Sequence, residues 1–407
     1  MTDLTRRQTN DSVAFLIIVS LLVAPIAMLD ANIFGFQLSG WAWLVLLALG
    51  LPLVAVLPLD VMAARYLLPY LLFLGYSIAT LAWVDDFGEG VATLVQMSVV
   101  AVAYILGWQV RDRERLLARL HVVGIVGIGL TALVAIATLG GRTLVGDIGM
   151  LVRPAAIGLV VFVVLVGARE SSWTVFGLAG AAALAVAIGT GSRASGALLV
   201  VVVLTCPAMT RSRPRWLLVT GVSILLLLAA TSTEAFRERF FFSDDASIRD
   251  VLTASEQLDT SGRRELWPKL LDECSANAVG GTGIGSATGL SRRFTGNQLD
   301  HPHNEYIRIY CDQGLVGTAL LWGFVIWAGV RIYRGIRQEH DRDLHAAAGQ
   351  LLVSLILLSI TDNPLLYTAL FMAPLAILLG LSDSAAVARA RRRRPGNRAT
   401  PGQFVRV

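Results

Sequence analysis

Apolar runs broken by short polar turns fill the chain to about residue 232 and return after residue 313. A helix that crosses a hydrocarbon core of roughly 30 Å needs about 20 mostly apolar residues. Twelve stretches meet or approach that length: 12–29, 41–59, 66–84, 91–110, 120–139, 154–168, 173–191, 195–210, 216–232, 314–332, 346–362 and 365–382. The pattern predicts an all-α, polytopic membrane protein with about 12 transmembrane helices. The first stretch is too long for the core of a signal peptide, so it reads as a span. One segment breaks the rhythm. Residues 233–313 are polar, and about 80 residues are too many for a simple connection. Inside it, Thr253-x-x-Glu256 resembles a capping box, and Glu265 to Ala276 has amphipathic spacing. Pro268 limits how regular that helix can be at its start. The chain therefore divides into an N-terminal bundle of about nine spans (1–232), a loop domain (233–313), C-terminal spans (314–384) and a basic tail (385–407).

Composition agrees with the pattern. Of 407 residues, 55% are hydrophobic and 15% charged, with a mean hydropathy of +0.65. Soluble domains carry about 45–50% apolar and about 25% charged residues. A soluble fold, a disordered chain and a disulfide scaffold are all excluded by these values. The net charge of +5 raises the question of nucleic acid. The placement of the arginines answers it. With Arg6 and Arg7 cytoplasmic, the loops on that side carry Arg65, Arg111 to Arg119, Arg169, Arg211 to Arg215, Arg331 to Arg342 and Arg391 to Arg394. The opposite short loops hold Arg142, Arg153 and Arg193 beside Asp85, Asp86 and Glu89. This is a positive-inside pattern with both termini cytoplasmic and the 233–313 loop outside. No nucleic-acid partner is implied; the bilayer is the partner, and Arg391 to Arg394 form a lipid-side anchor.

The candidate chemistry lies on the outer face. His121, His340 and His345 fall among cytoplasmic arginines and read as solvated. His301 and His303 lie together in Asp300-His301-Pro302-His303-Asn304-Glu305, where the loop runs into the next span. Asp300 is expected to cap a helix with Pro302 in its first turn, which holds His303 at the membrane surface. An imidazole there suits general-base chemistry. A zinc site using His301, His303 and Glu305 or Asp312 is the alternative, without the ligand spacing of a known metal motif. Arg193, in Gly191-Ser192-Arg193-Ala194-Ser195-Gly196, sits at a span edge where a charge ordinarily faces a cavity. Arg263 and Arg264, and again Arg292 and Arg293, form pairs of the residue type suited to binding phosphate, with solvated loop charges as the alternative reading. Gly281, Gly283 and Gly285 alternate in a tight loop that is neither a Walker nor a dinucleotide motif. Cys274 and Cys311 share the oxidising side, which leaves a bridge between them open. Asp362 is a carboxylate at a span edge, expected either to pair with an arginine or to cap a helix end.

Taken together these motifs resemble the bacterial O-antigen ligase and O-antigen polymerase family. His303-Asn304, nine residues, then Gly314-Leu315-Val316-Gly317 fits the family's His-Asn and Gly-x-x-Gly pattern. Ser192-Arg193, Gly262-Arg263 with Trp267, and Gly281-x-Gly283-x-Gly285 look like further family elements in the same order. The likeness covers about residues 180–380; before that only hydropathy agrees.

The resemblance implies a GT-C-like membrane fold in the inner membrane, with a periplasmic site and no metal or cofactor. It implies a glycan donor on undecaprenyl pyrophosphate and a sugar hydroxyl as acceptor, on lipid A-core for a ligase or on a lipid-linked glycan for a polymerase. In that reading His303 is the base. Arg193 and Arg263 hold the diphosphate, Arg292 or Arg293 completes the clamp, and His301 and Asn304 contact substrate or orient His303. The motifs do not separate ligase from polymerase, although the loop pattern favours the ligase. A secondary transporter or flippase is the competing class; the large loop, the histidine motif and the lack of repeat symmetry speak against it.

Overall fold

The computed structural model describes residues 3–26, 32–33, 36–56, 60–140, 152–169, 173–189, 193–206, 217, 221–222, 225, 262–338 and 341–393. Its elements are α1 (Asp3–Ile26), a two-residue antiparallel pair β1 (Asn32–Ile33) and β2 (Phe36–Gln37), α2 (Leu38–Val56), α3 (Val61–Thr80), α4 (Phe87–Gln109), α5 (Arg113–Gly140), α6 (Val152–Gly167), α7 (Trp173–Gly189), α8 (Arg193–Thr205), α9 (Arg263–Ser275), α10 (Ser286–Thr295), α11 (Glu305–Arg337), α12 (Arg342–Leu358) and α13 (Ala373–Arg393). The fold is thus an α-helical membrane protein. Among the described residues, five helical stretches are long and apolar enough to cross a bilayer: Val61–Trp83, Phe87–Gln109, Arg113–Leu133, Glu305–Arg337 and Thr368–Ala390. Shorter apolar helical stretches are Asp11–Leu22 within α1, Leu44–Val56 within α2, Ile157–Gly167, Thr174–Ala187 and Ala194–Thr205. Of the expected 216–232 span only isolated helical residues are described, and the expected capping box at Thr253 and Glu256 lies outside the described residues.

Local chemistry explains the helix starts. Asp60 Oδ1 accepts from the Met62 N–H at 2.9 Å, and Asp86 Oδ1 from the Glu89 N–H at 3.0 Å, so short carboxylates cap α3 and α4. The amphipathic segment expected from Glu265 forms α9, which runs through Pro268. The start of α11 corrects the expectation from sequence. Asn304, not Asp300, is the cap, and its Oδ1 accepts from the Ile307 N–H at 3.1 Å. Asp300 instead binds Arg292. An Asn in extended conformation immediately before Glu305 satisfies the first-turn N–H, and Pro302 therefore precedes the helix rather than entering it.

α13 is the most buried of the long helices and packs chiefly against α4. A side chain at Gly107 would collide with the Ile377 backbone, and one at Gly380 with the Tyr104 carbonyl. Small residues here let two spanning helices approach closely, which is how helices associate where lipid offers no hydrophobic driving force. α11 packs against both α3 and α12.

α12 ends at Leu358, and the chain crosses to α13 through a 3₁₀ turn (Pro364–Leu366) and a π turn (Thr368–Met372). Asp362 therefore sits in a connection, outside the helices. Two further expectations change. His345 is buried and its Nδ1 lies 2.6 Å from Ser382 Oγ. It fits because Gly335 faces the ring, where a Cβ would stand 2.6 Å away. His121 lies within α5, its Nδ1 3.2 Å from the Val166 carbonyl. His340 is outside the described residues.

Candidate active site

The site assembles at the N-terminal end of α11. His303 precedes the cap and has φ +51°, a left-handed conformation that is uncommon for a residue with a Cβ. Such backbone persists where its surroundings hold it. Trp267 Nε1 donates to the Pro302 carbonyl at 2.8 Å, tying the turn to α9. The Glu305 N–H donates to Ser359 O at 2.8 Å, and Asn304 Nδ2 donates to Ile360 O at 3.1 Å, tying it to the end of α12.

His303 Nδ1 then meets Asp362 Oδ1 at 3.3 Å. The same oxygen accepts from the Asn363 N–H at 2.8 Å and from the Tyr367 hydroxyl at 2.9 Å. Burial alone would raise the Asp362 carboxyl, but these bonds outweigh it and hold it below the ordinary carboxylate range. A fixed anion on Nδ1 holds the proton there and leaves Nε2 as the basic nitrogen.

Arg263 lies four residues before Trp267, so the two share one face of α9. That face meets the histidine turn, and the Arg263 guanidinium bears electrostatically on Tyr367, the partner of Asp362. Arg193 opens α8, and its side chain lies outside the described residues. Arg292 and Arg293 already face carboxylates: Arg292 Nε is 2.8 Å from Asp300 and Arg293 Nη2 is 2.7 Å from Glu273, both exposed pairs. His301 is partly buried, with Nδ1 3.3 Å from Thr288 Oγ1. Burial, reinforced by the nearby Arg308 charge, pushes its pKa down to about 4, so its ring is neutral.

The glycine-rich loop explains the spacing that follows the histidine. α11 breaks at Gly314, with φ 61° and ψ −161°. The loop lies along that break and takes up its free backbone groups. Thr282 N–H donates to Cys311 O at 2.8 Å and Gly283 N–H to Asp312 O at 2.9 Å, while Leu315 N–H donates to Ala278 O at 2.8 Å. Any Cβ on Gly281 would strike the Gln313 nitrogen, and any Cβ on Gly314 the Val279 carbonyl. Two glycine backbones in mutual contact thus join the loop to the helix, and both need positive φ.

Asp312 Oδ1 accepts from the Ala287 N–H at 2.8 Å at the start of α10, while Arg308 pairs with Glu305 and Asp312 in the buried core of the same segment. Glu305 Oε2 also accepts from the Leu365 N–H at 3.2 Å. The carboxylates weighed as zinc ligands are thus turned to an arginine and to backbone N–H groups. Among the described residues, no three His, Cys, Asp or Glu side chains converge as a metal-holding group.

Cys274 and Cys311 form a disulfide with Cα atoms 5.0 Å apart, stapling α9 to α11. The first half of the chain contributes groups that sequence reading did not single out. Tyr76 O–H donates to Gly280 O at 3.1 Å, Trp83 Nε1 donates to Gly281 O at 3.3 Å, and Thr80 Oγ1 accepts from the Ile284 N–H at 3.3 Å. A polar or aromatic residue at the end of a span was the available signal.

These features define a helical membrane protein with an Asp–His pair held at a helix mouth beside an arginine. Residues 178–322 match the model of the O-antigen ligase family, and that segment contains Arg193, Arg263, the glycine-rich loop, His303 and Gly314 to Gly317. The resemblance read from those motifs is thereby borne out: the matched family is one of membrane ligases and polymerases of the glycosyltransferase kind. No curated protein matches the chain.

Proposed function

We propose that the protein is an inverting membrane glycosyltransferase that moves a glycan from undecaprenyl pyrophosphate to a sugar hydroxyl. The His303–Asp362 pair carries this reading, because it is the arrangement a general base needs to be oriented and ready. The acceptor oxygen attacks the anomeric carbon, its proton passes to His303 Nε2, and the bond from that carbon to the diphosphate oxygen breaks. Undecaprenyl pyrophosphate leaves with the bonding electrons. Arg263, with Arg193, holds the departing diphosphate and stabilises the charge that develops on it. Arg292 and Arg293 serve as reserve cations at the rim, released from Asp300 and Glu273 when a more highly charged anion arrives. His301, neutral, lines the site through Thr288, and Asn304 positions His303 by capping α11. No metal or cofactor takes part in the reading.

Exposed apolar side chains near this end, among them Val279, Leu315 and Ile360, support a lipid-borne donor. The active site faces the periplasm of the inner membrane, with residues 262–313 and the described spans α3, α11 and α12 around it, and the basic tail belongs to the cytoplasmic side. A lipid A-core acceptor makes the protein an O-antigen ligase; a lipid-linked repeat unit as acceptor makes it a polymerase with the same chemistry. The deciding experiment is transfer by purified protein from a defined undecaprenyl-pyrophosphate glycan to each acceptor, wild type against His303→Ala. Product with wild type alone is the expected result, and full activity in His303→Ala would overturn the mechanism.

A further inference from the structure

At the other end of α11, on the order of 40 Å from His303 at 1.5 Å per helical residue, lies a cavity of about 440 Å³ between α3, α11, α12 and α13. Four arginines line it: Arg65, Arg331, Arg334 and Arg389. Arg331 is central. Its side chain is only 8% exposed, and its Nη1 donates to Asp383 Oδ2 at 2.6 Å. Tyr104 O–H donates to the same oxygen at 2.8 Å. The guanidinium lies over the Tyr66 ring at 4.8 Å and near the Trp327 ring at 5.7 Å, so its plane is fixed.

Its Nε and Nη2 are buried and have no hydrogen-bond partner among the described residues. These two nitrogens form the parallel fork of N–H donors that an oxyanion with two oxygens fills. Leaving buried charged donors unmet is costly, so the fork is a place prepared for an acceptor. Asp383, and Asp341 at 3.7 Å from Arg389, offset two of the four positive charges, and two remain.

The surroundings identify the source of the anion. Next to the cavity, α3 and α11 expose Leu68, Ile326 and Tyr333 outward, and Trp327 is 41% exposed. Apolar side chains with Trp and Tyr at one helix end are the pattern of a membrane–water interface. Basic pockets between spanning helices at the cytoplasmic leaflet bind anionic lipid headgroups.

We infer that this cavity is a binding site for the phosphodiester headgroup of an anionic phospholipid, with the Arg331 fork on two phosphate oxygens and Arg65 and Arg334 at the rim. It is separate from the glycan-transfer site. The shared chemistry is a phosphate, and the test distinguishes lipid from free anion. Delipidated full-length protein in detergent is given phosphatidylglycerol, phosphatidylcholine of the same acyl chains, or inorganic phosphate, and binding is followed by native mass spectrometry and thermal melting.

Phosphatidylglycerol is expected to bind and raise the melting temperature, the other two not. The exposed rim pair Arg65→Gln with Arg334→Gln should weaken that binding roughly 25-fold, at about fivefold per surface arginine, with melting in lipid-free detergent unchanged. Arg331→Lys keeps a cation for Asp383 but removes the fork, and should weaken binding further. Equal binding of phosphatidylcholine, or wild-type affinity in both variants, would overturn the site. Equal stabilisation by inorganic phosphate would overturn the lipid as its ligand.

Discussion

His303 Nδ1 and Asp362 Oδ1 meet at 3.3 Å although 59 residues separate them in the chain. The carboxylate fixes which ring nitrogen carries the proton and which way the ring points. Asp362→Asn preserves size while removing the charge, and it allows the amide to stabilise the wrong tautomer. Turnover should fall roughly 10²- to 10⁴-fold with the donor KM little changed, the range expected when general-base action fails. Steady-state transfer with a lipid-linked donor measures both constants. Loss confined to KM would assign Asp362 to substrate binding instead.

Arg263 addresses a different part of the reaction. Arg263→Ala should lower turnover and weaken the donor together, by about 100-fold or more in kcat/KM, as a charge-assisted contact strengthens on the leaving group. Arg263→Lys keeps the charge without the fork and should recover only part of the loss. Added EDTA should leave the rate unchanged. Strict dependence on an added divalent ion would instead call for a metal on the diphosphate.

The joint between the glycine loop and α11 tolerates no side chain. Gly281→Ala and Gly314→Ala each place a Cβ against partner backbone and at positive φ. Backbone cannot swing aside as a flexible side chain can. Each substitution should cost about 2 kcal/mol or more and lower transfer through displacement of the histidine turn. Thermal melting and transfer assayed on the same preparation check this, with Gly289→Ala, which meets nothing within 4 Å, as the control.

The helices were legible because a long apolar run bounded by arginines has few other solutions. The histidine motif was legible because its residues are near neighbours in sequence. Asp362 was visible only as an isolated carboxylate at a helix edge, open to an arginine partner or a helix-end cap and not to a histidine. Nothing in local sequence says that the turn after α12 returns to the start of α11. Tyr76, Thr80 and Trp83 were hidden for the same reason, since they act through backbone groups about 200 residues away. Asn304 and Asp300 show a finer limit: both can cap a helix, and the choice depends on where Pro302 and the Ser359 carbonyl place the first turn.

The Cys274–Cys311 bridge closes 37 residues of chain that include the glycine loop and both histidines. Loop closure of that length restricts the unfolded chain by about 4 kcal/mol. Cys274→Ser with Cys311→Ser should therefore melt several degrees lower, and so should reduced wild type. Cys206 is outside the bridge and buried, so thiol labelling of the native oxidised protein should be slow until unfolding. Rapid labelling of two further thiols in the native, unreduced protein would rule the bridge out.

His301 makes stability depend on pH in a predictable direction. Its pKa is near 4 in the folded protein, against about 6.5 for an unperturbed imidazole. Between those values the unfolded chain binds the proton that the folded site refuses, so folding releases one. The stabilisation is complete above about pH 6.5 and is lost as the pH falls towards 4, where the folded ring also protonates. Carboxylates titrate near the lower end of that window, so wild type alone does not isolate the effect. His301→Asn removes the titrating ring while keeping a polar group for Thr288. The melting temperature of wild type should drop more steeply than that of His301→Asn between pH 6.5 and 4.5. Parallel curves over that interval would show that His301 is protonated as readily in the folded chain as in the unfolded one, and would remove the neutral ring from the proposed site.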